Sequence, residues 1–185
     1  QLETMAAGRL AKVSAGSAGE YHAQVFKPKT KTNPDRAKAI EQFRPALDRR
    51  GSAIAGKATF EQRCAACHQL GGVGRAIGPD LKSTRANGAE KLLVSLIDPN
   101  REVAPQYLLF TVHLGKGDET LVGMIANENA SVVELIQPDG SAKSVRRAEV
   151  RSIQSTGQSL MPAGLEAGLS HGQMADLLAW VLEAQ

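Results

Sequence analysis

At 185 residues, with 42% hydrophobic but only 4% aromatic side chains, the chain suits one compact domain with additions, or two small ones. No run approaches about 18 uninterrupted apolar residues, so the sequence contains no candidate membrane-spanning helix. The formal charge of +3 is unevenly placed: residues 1–60 hold eleven Lys and Arg against five Asp and Glu, and residues 61–185 hold eleven against fourteen. The basic leading segment reads as a solvated arm or as a docking surface for an acidic partner.

The chain begins with Gln1, which suggests a processed protein or a piece of a larger one, and no secretory signal pattern stands at its start. Residues 1–20 are rich in Ala, Gly and Ser, and Ala15 to Gly19 reads as flexible linker. Tyr21 to Phe26 suits a short extended piece, and Lys27 to Lys31 is basic and turn-like. Asn33 is a good N-cap with Pro34 at the first helical position. Ala37, Ile40, Phe43 and Leu47 then recur at helical spacing until Pro45 bends or ends the run. This gives a basic N-terminal extension over residues 1–50, with a helix near 34–47, ahead of a main domain over 51–185.

Gly56 to Arg63 reads as a helix running into Cys64-Ala65-Ala66-Cys67-His68. Gly56 and Phe60 lie one turn apart on one face, where a second helix can cross closely. The five residues read C-x-x-C-H, the attachment signal for a c-type haem. Each cysteine can form a thioether to a vinyl group, and His68 then falls beneath the iron as its proximal ligand. A zinc site lacks its other half, because Cys64 and Cys67 are the only cysteines. A thioredoxin-like pair belongs at a strand-to-helix junction, whereas these cysteines end a helix-like run. A haem argues against nucleic acid as a partner. It also implies a periplasmic or otherwise exported setting, where thiols meet dedicated machinery.

Gln69 to Ile77 is glycine-rich and leads into Gly78-Pro79-Asp80-Leu81. Asn87 to Ile97 reads as a helix capped by Asn87, with Leu92, Leu93, Leu96 and Ile97 as its apolar stripe. In Tyr107 to Leu114, apolar Leu108, Phe110, Val112 and Leu114 alternate with their neighbours as in a half-buried strand. Turns at Gly115 to Asp118, Asn127 to Asn129 and Asp139-Gly140 then separate strands over Glu119 to Ala126, Ser131 to Gln137 and Lys143 to Val150. Four or so strands of this kind make a meander, open or curled into a small barrel. Ser170 to Leu182 is a closing helix with capping-box spacing at Ser170 and Gln173.

Phe60, the haem motif, Gly78-Pro79, Met161-Pro162 and Trp180 together make the chain resemble a class I cytochrome c. The resemblance implies a mainly α cytochrome c fold, here with a small antiparallel β subdomain inserted over 105–152. It implies that the Pro79 carbonyl accepts a hydrogen bond from the second nitrogen of His68, and that Met161 supplies the sixth iron ligand. A thioether is a soft donor that suits haem iron. Met5 is in a terminal segment, Met124 is mid-strand and Met174 is on the closing helix's apolar face; His22, His113 and His171 are weaker rivals. Met161 lies 93 residues beyond His68, and removing the 48-residue insertion leaves 45, a spacing suited to a one-domain cytochrome. Arg75 could pair with a haem propionate or simply be exposed.

Phe43-Arg44-Pro45-Ala46-Leu47, Asp98-Pro99-Asn100-Arg101 and Ser159-Leu160-Met161-Pro162 narrow the resemblance, over about residues 35–185. They are similar to a bacterial family of haem-binding domains found at the C-terminal end of larger proteins combining a dehydrogenase-like β-propeller with helical repeats. The implied function is one-electron transfer through covalent haem c iron, by an electron carrier and not an enzyme. It would take electrons from a redox protein such as a sugar or alcohol dehydrogenase. The rival reading is a gas sensor or peroxidase-like protein in which Met161 is displaceable, but no distal His and Arg constellation supports it. A third reading makes the β subdomain a peptide- or glycan-binding module, without a recognisable site.

Overall fold

The computed structural model describes residues 33–115 and 119–184. The linker, extended piece and basic turn expected before Asn33 lie outside these residues, as does most of the turn at 115–118. The described chain forms two compact units, one over 104–160 and the other over 33–103 with 161–184.

The second unit is helical. Helix α1 spans Pro34–Phe43; the Asn33 side chain accepts the Asp35 N–H, and the chain tightens at Pro45 into a 3-10 turn, Arg44–Ala46. Helix α2 spans Ala53–Arg63 and begins three residues before Gly56, because the Ser52 hydroxyl accepts the Ala55 N–H and starts it there. A two-stranded ribbon follows, β1 (Gln69–Leu70) against β2 (Val73–Gly74). The short α3 (Leu81–Thr84) is capped by Asp80 and leads through a 3-10 turn to α4, Gly88–Ile97. Asn87, expected to cap α4, already has helical dihedrals and makes no side-chain capping bond. Helix α5 spans His171–Glu183, with the capping box formed by Ser170 and Gln173. No helix among the described residues is long and apolar enough to cross a membrane.

Helix α5 is shared between two apolar clusters. Met174, Ala175 and Leu178 pack with Ile40, Phe43, Ala46, Leu93 and Ile97, while Leu177, Val181 and Ala184 pack with Phe60 and Leu70. Each such buried Leu, Ile, Phe or Met contributes about 1.5–3 kcal/mol by leaving water. The close approach expected at Gly56 is present: a Cβ built there would lie 1.9 Å from the Asp176 carbonyl oxygen, and one at Gly51 would lie 2.1 Å from that of Ala175. The crossing of α2 on α5 therefore runs backbone to backbone. It is tied at its start by the Ser52 N–H, which donates to the Asp176 carboxylate at 2.7 Å.

The first unit is a five-stranded antiparallel sheet: β3 (Leu108–Leu114), β4 (Thr120–Glu128), β5 (Val132–Ile136), β6 (Ala142–Arg146) and β7 (Val150–Ser159). The spatial order is β6-β5-β4-β3-β7. The first four strands form the expected meander, and β7 returns to pair with β3 at the far edge. With β6 and β7 at opposite edges, the sheet stays open and does not curl into a barrel. Leu108, Phe110, Val112, Val133, Leu135, Val145 and Ile153 are buried.

The structure departs from two expectations. The inserted strands run past 152, since β7 continues to Ser159 and Leu160 still donates its N–H to the Tyr107 carbonyl at 3.0 Å. With five sheet strands beside the helices, the chain is mixed α and β rather than mainly α.

Candidate functional site

Helix α2 ends where the cysteines begin. Cys64 is its C-cap, with its N–H bonded to the Phe60 carbonyl, and its own carbonyl accepts the N–H groups of Cys67 at 3.1 Å and His68 at 2.8 Å. One tight turn therefore carries both thiols and the imidazole. The following loop folds back on it: the Arg75 N–H donates to the Ala65 carbonyl, and those of Ile77 and Gly78 donate to the Cys67 carbonyl at 3.0 and 2.7 Å. Gly74, at φ +92°, has no room for a Cβ, which would meet the His68 carbonyl oxygen at 2.1 Å.

This return brings Pro79 to His68. The His68 Nδ1 lies 3.1 Å from the Pro79 carbonyl oxygen, which can only accept, so the ring nitrogen donates. The tautomer is thereby set, and the Nε2 lone pair is left for a ligand. His68 is 8% exposed. Burial pushes its pKa below the ordinary 6.5, an effect the Pro79 bond only partly offsets, so the imidazole is neutral at pH 7. Gly78 packs directly on the ring, and a Cβ there would stand 2.5 Å from Cε1.

Cys64 and Cys67 are free thiols, each partly buried. Burial, opposed in part by the positive charge of Arg63 and reinforced by Cys67, pushes the Cys64 thiol up to about 11. A thiol so protonated at pH 7 is the reverse of an activated thioredoxin-type nucleophile. A neutral imidazole with a free Nε2, beside two unpaired thiols on one turn, is a donor set that fits a covalently held haem. The Arg75 side chain is exposed on the loop that carries Pro79.

Met161 opens the segment that enters the helical unit after the sheet, and is half-buried. The turns beyond it are held by two arginines that the sequence did not single out. Arg63, immediately before Cys64, donates through Nη1 to the carbonyls of Leu165 and Ala167, both at 2.9 Å. Arg36 of α1 donates to Glu166 at 2.6 Å, and Glu166 is 5% exposed. Nothing in the sequence marks the Arg63 contacts, because a backbone carbonyl has no residue signature. Trp180 of α5 tilts on Phe60 at 6.4 Å between ring centroids, with the Lys57 ammonium 5.9 Å from its ring.

Residues 51–181 match the family model described as cytochrome C oxidase, cbb3-type, subunit III. No curated protein matches the chain.

Proposed function

The chain belongs to the c-type cytochrome family described as cytochrome C oxidase, cbb3-type, subunit III, and from that premise we propose that it passes single electrons between redox proteins through a haem c with His68 and Met161 as axial ligands. As a cytochrome c domain it binds haem and carries electrons. When bound, the haem iron supplies the one-electron couple.

The chain's own residues do the rest. Cys64 and Cys67 would hold the porphyrin edge by thioethers. His68 would offer Nε2 to the iron, while the Pro79 carbonyl accepts the Nδ1–H bond and makes the imidazole a stronger donor. Met161 offers a thioether sulfur, which favours the ferrous state relative to a second imidazole. Retaining both ligands in both oxidation states keeps reorganisation small. Arg75, exposed on the loop that carries Pro79, would be available to a haem propionate.

The observation that carries this reading is the His68–Pro79 hydrogen bond at 3.1 Å behind a C-x-x-C-H turn. The finer assignment is a haem-binding domain of the type attached to dehydrogenase-like proteins, working in the periplasm and accepting electrons from a sugar or alcohol dehydrogenase.

Optical spectra of the holoprotein test the ligation. The ferric form should show the weak far-red band of sulfur on iron, and the ferrous form should ignore carbon monoxide; Met161→Ala should reverse both. A native protein that binds carbon monoxide readily would remove Met161 as a firm ligand and put a ligand-binding haem protein in its place.

A further inference from the structure

Met161-Pro162 leads into residues 163–168, two successive turns in which Gly164 and Gly168 take left-handed dihedrals, φ +94° and +76°. Within these turns Ala167 donates its N–H to the Gly164 carbonyl and Leu169 to that of Glu166, both at 3.0 Å. Bonds this local do not fix where the segment lies. The three central residues, Leu165, Glu166 and Ala167, are instead held from outside: Arg63 takes the first and third carbonyls, and Arg36 takes the Glu166 carboxylate between them.

We propose that Arg63 is a positioning residue for the iron's sixth ligand: it ties the Met161 loop to the end of the helix that carries Cys64, Cys67 and His68, with the Arg36–Glu166 pair as a second tie. This rests on the Met161 reading above. One nitrogen serves both carbonyls, so a single side chain links the two ends of the axial-ligand pair across about a hundred residues of chain. Arginine suits the task because its planar, permanently charged group keeps its donors aimed in fixed directions. Glu166 pairs with Arg36 through Oε1, and its Oε2 is buried without a hydrogen-bond partner among the described residues. Releasing either tie lowers the cost of lifting Met161 from the iron, and an added ligand then competes more easily.

The test uses the holoprotein and imidazole as the competing ligand. Arg63→Met keeps the length of the stem and removes the donors; Arg63→Lys keeps donors and charge. Losing charged hydrogen bonds should raise the affinity of the ferric protein for imidazole roughly ten- to a hundredfold in Arg63→Met. Arg63→Lys should recover most of the native value. Amide hydrogen exchange over 163–169 should quicken in Arg63→Met while α4 is unchanged.

Native imidazole affinity in Arg63→Met, with the far-red band intact, overturns the tie. So does faster exchange without a gain in imidazole affinity. A native protein that lacks the far-red band overturns the Met161 reading itself, and with it this role for Arg63. Should Arg63→Met fail to take up haem, Arg63→Gln, too short to span both carbonyls, decides on the same titration: tighter imidazole binding supports the tie, and unchanged binding overturns it.

Discussion

The His68 ring meets the chain through one hydrogen bond and one close wall. The bond to Pro79 sets which nitrogen is free; the wall is Gly78, with no room for a methyl group between its Cα and the imidazole. Gly78→Ala should force the ring off the Pro79 carbonyl. Overpacking of this kind costs about 1–3 kcal/mol, read as a lower denaturant midpoint. A ring that donates less strongly to Pro79 is a weaker iron ligand, so the reduction potential of the holoprotein should rise. If midpoint and potential both stay native, the ring has room to shift and Gly78 is only a turn residue. At this scale the sequence was informative where chemistry is contiguous: Cys64 to His68 spell their arrangement in five letters. Arg63 and Glu166 were silent, because their partners lie 102 to 130 residues away and two of the acceptors are main-chain atoms.

Helix α2 is placed by its crossing with α5, and the crossing depends on Gly56. Alanine in a helix is ordinarily favoured over glycine by about 1 kcal/mol, so the sign of Gly56→Ala separates two pictures. Here the added Cβ would meet the main-chain oxygen of Asp176 at 1.9 Å, and main chain within a helix cannot step aside cheaply. The variant should therefore be less stable by about 2 kcal/mol and melt several degrees lower. A melting temperature at or above that of the native protein would mean the helices can separate without loss. Gly56, Phe60 and the apolar face of α5 were legible because helical spacing exposes them. Strand β7 was not: in Val150–Ser159 only Ile153 is buried, and an edge strand with one face in solvent lacks a sustained apolar alternation. The boundary of the insertion was misplaced for the same reason.

The two units keep separate cores. The apolar clusters that join α1, α2, α4 and α5 draw only on residues of the helical unit, and the sheet has its own buried side chains. The insertion leaves and re-enters the helical chain at nearly one place, because Leu108 pairs with Ser159 and Leu160 donates to the Tyr107 carbonyl. Paired strands lie about 5 Å apart, so a few Gly and Ser residues can bridge Ala104 to Leu160 once the strands are removed. Such a chain should still take up haem and keep the far-red band and the indifference to carbon monoxide, because Cys64, Cys67, His68, Pro79, Arg63 and Met161 all belong to the helical unit. Loss of the band with haem retained would instead show that the strands support the Met161 loop. Electron exchange with a dehydrogenase then separates the two roles the sequence left open for the insertion. A shortened chain with native spectra but slow reduction by the partner assigns the sheet to docking. Native rates would leave the helical unit sufficient for both ligation and partner contact.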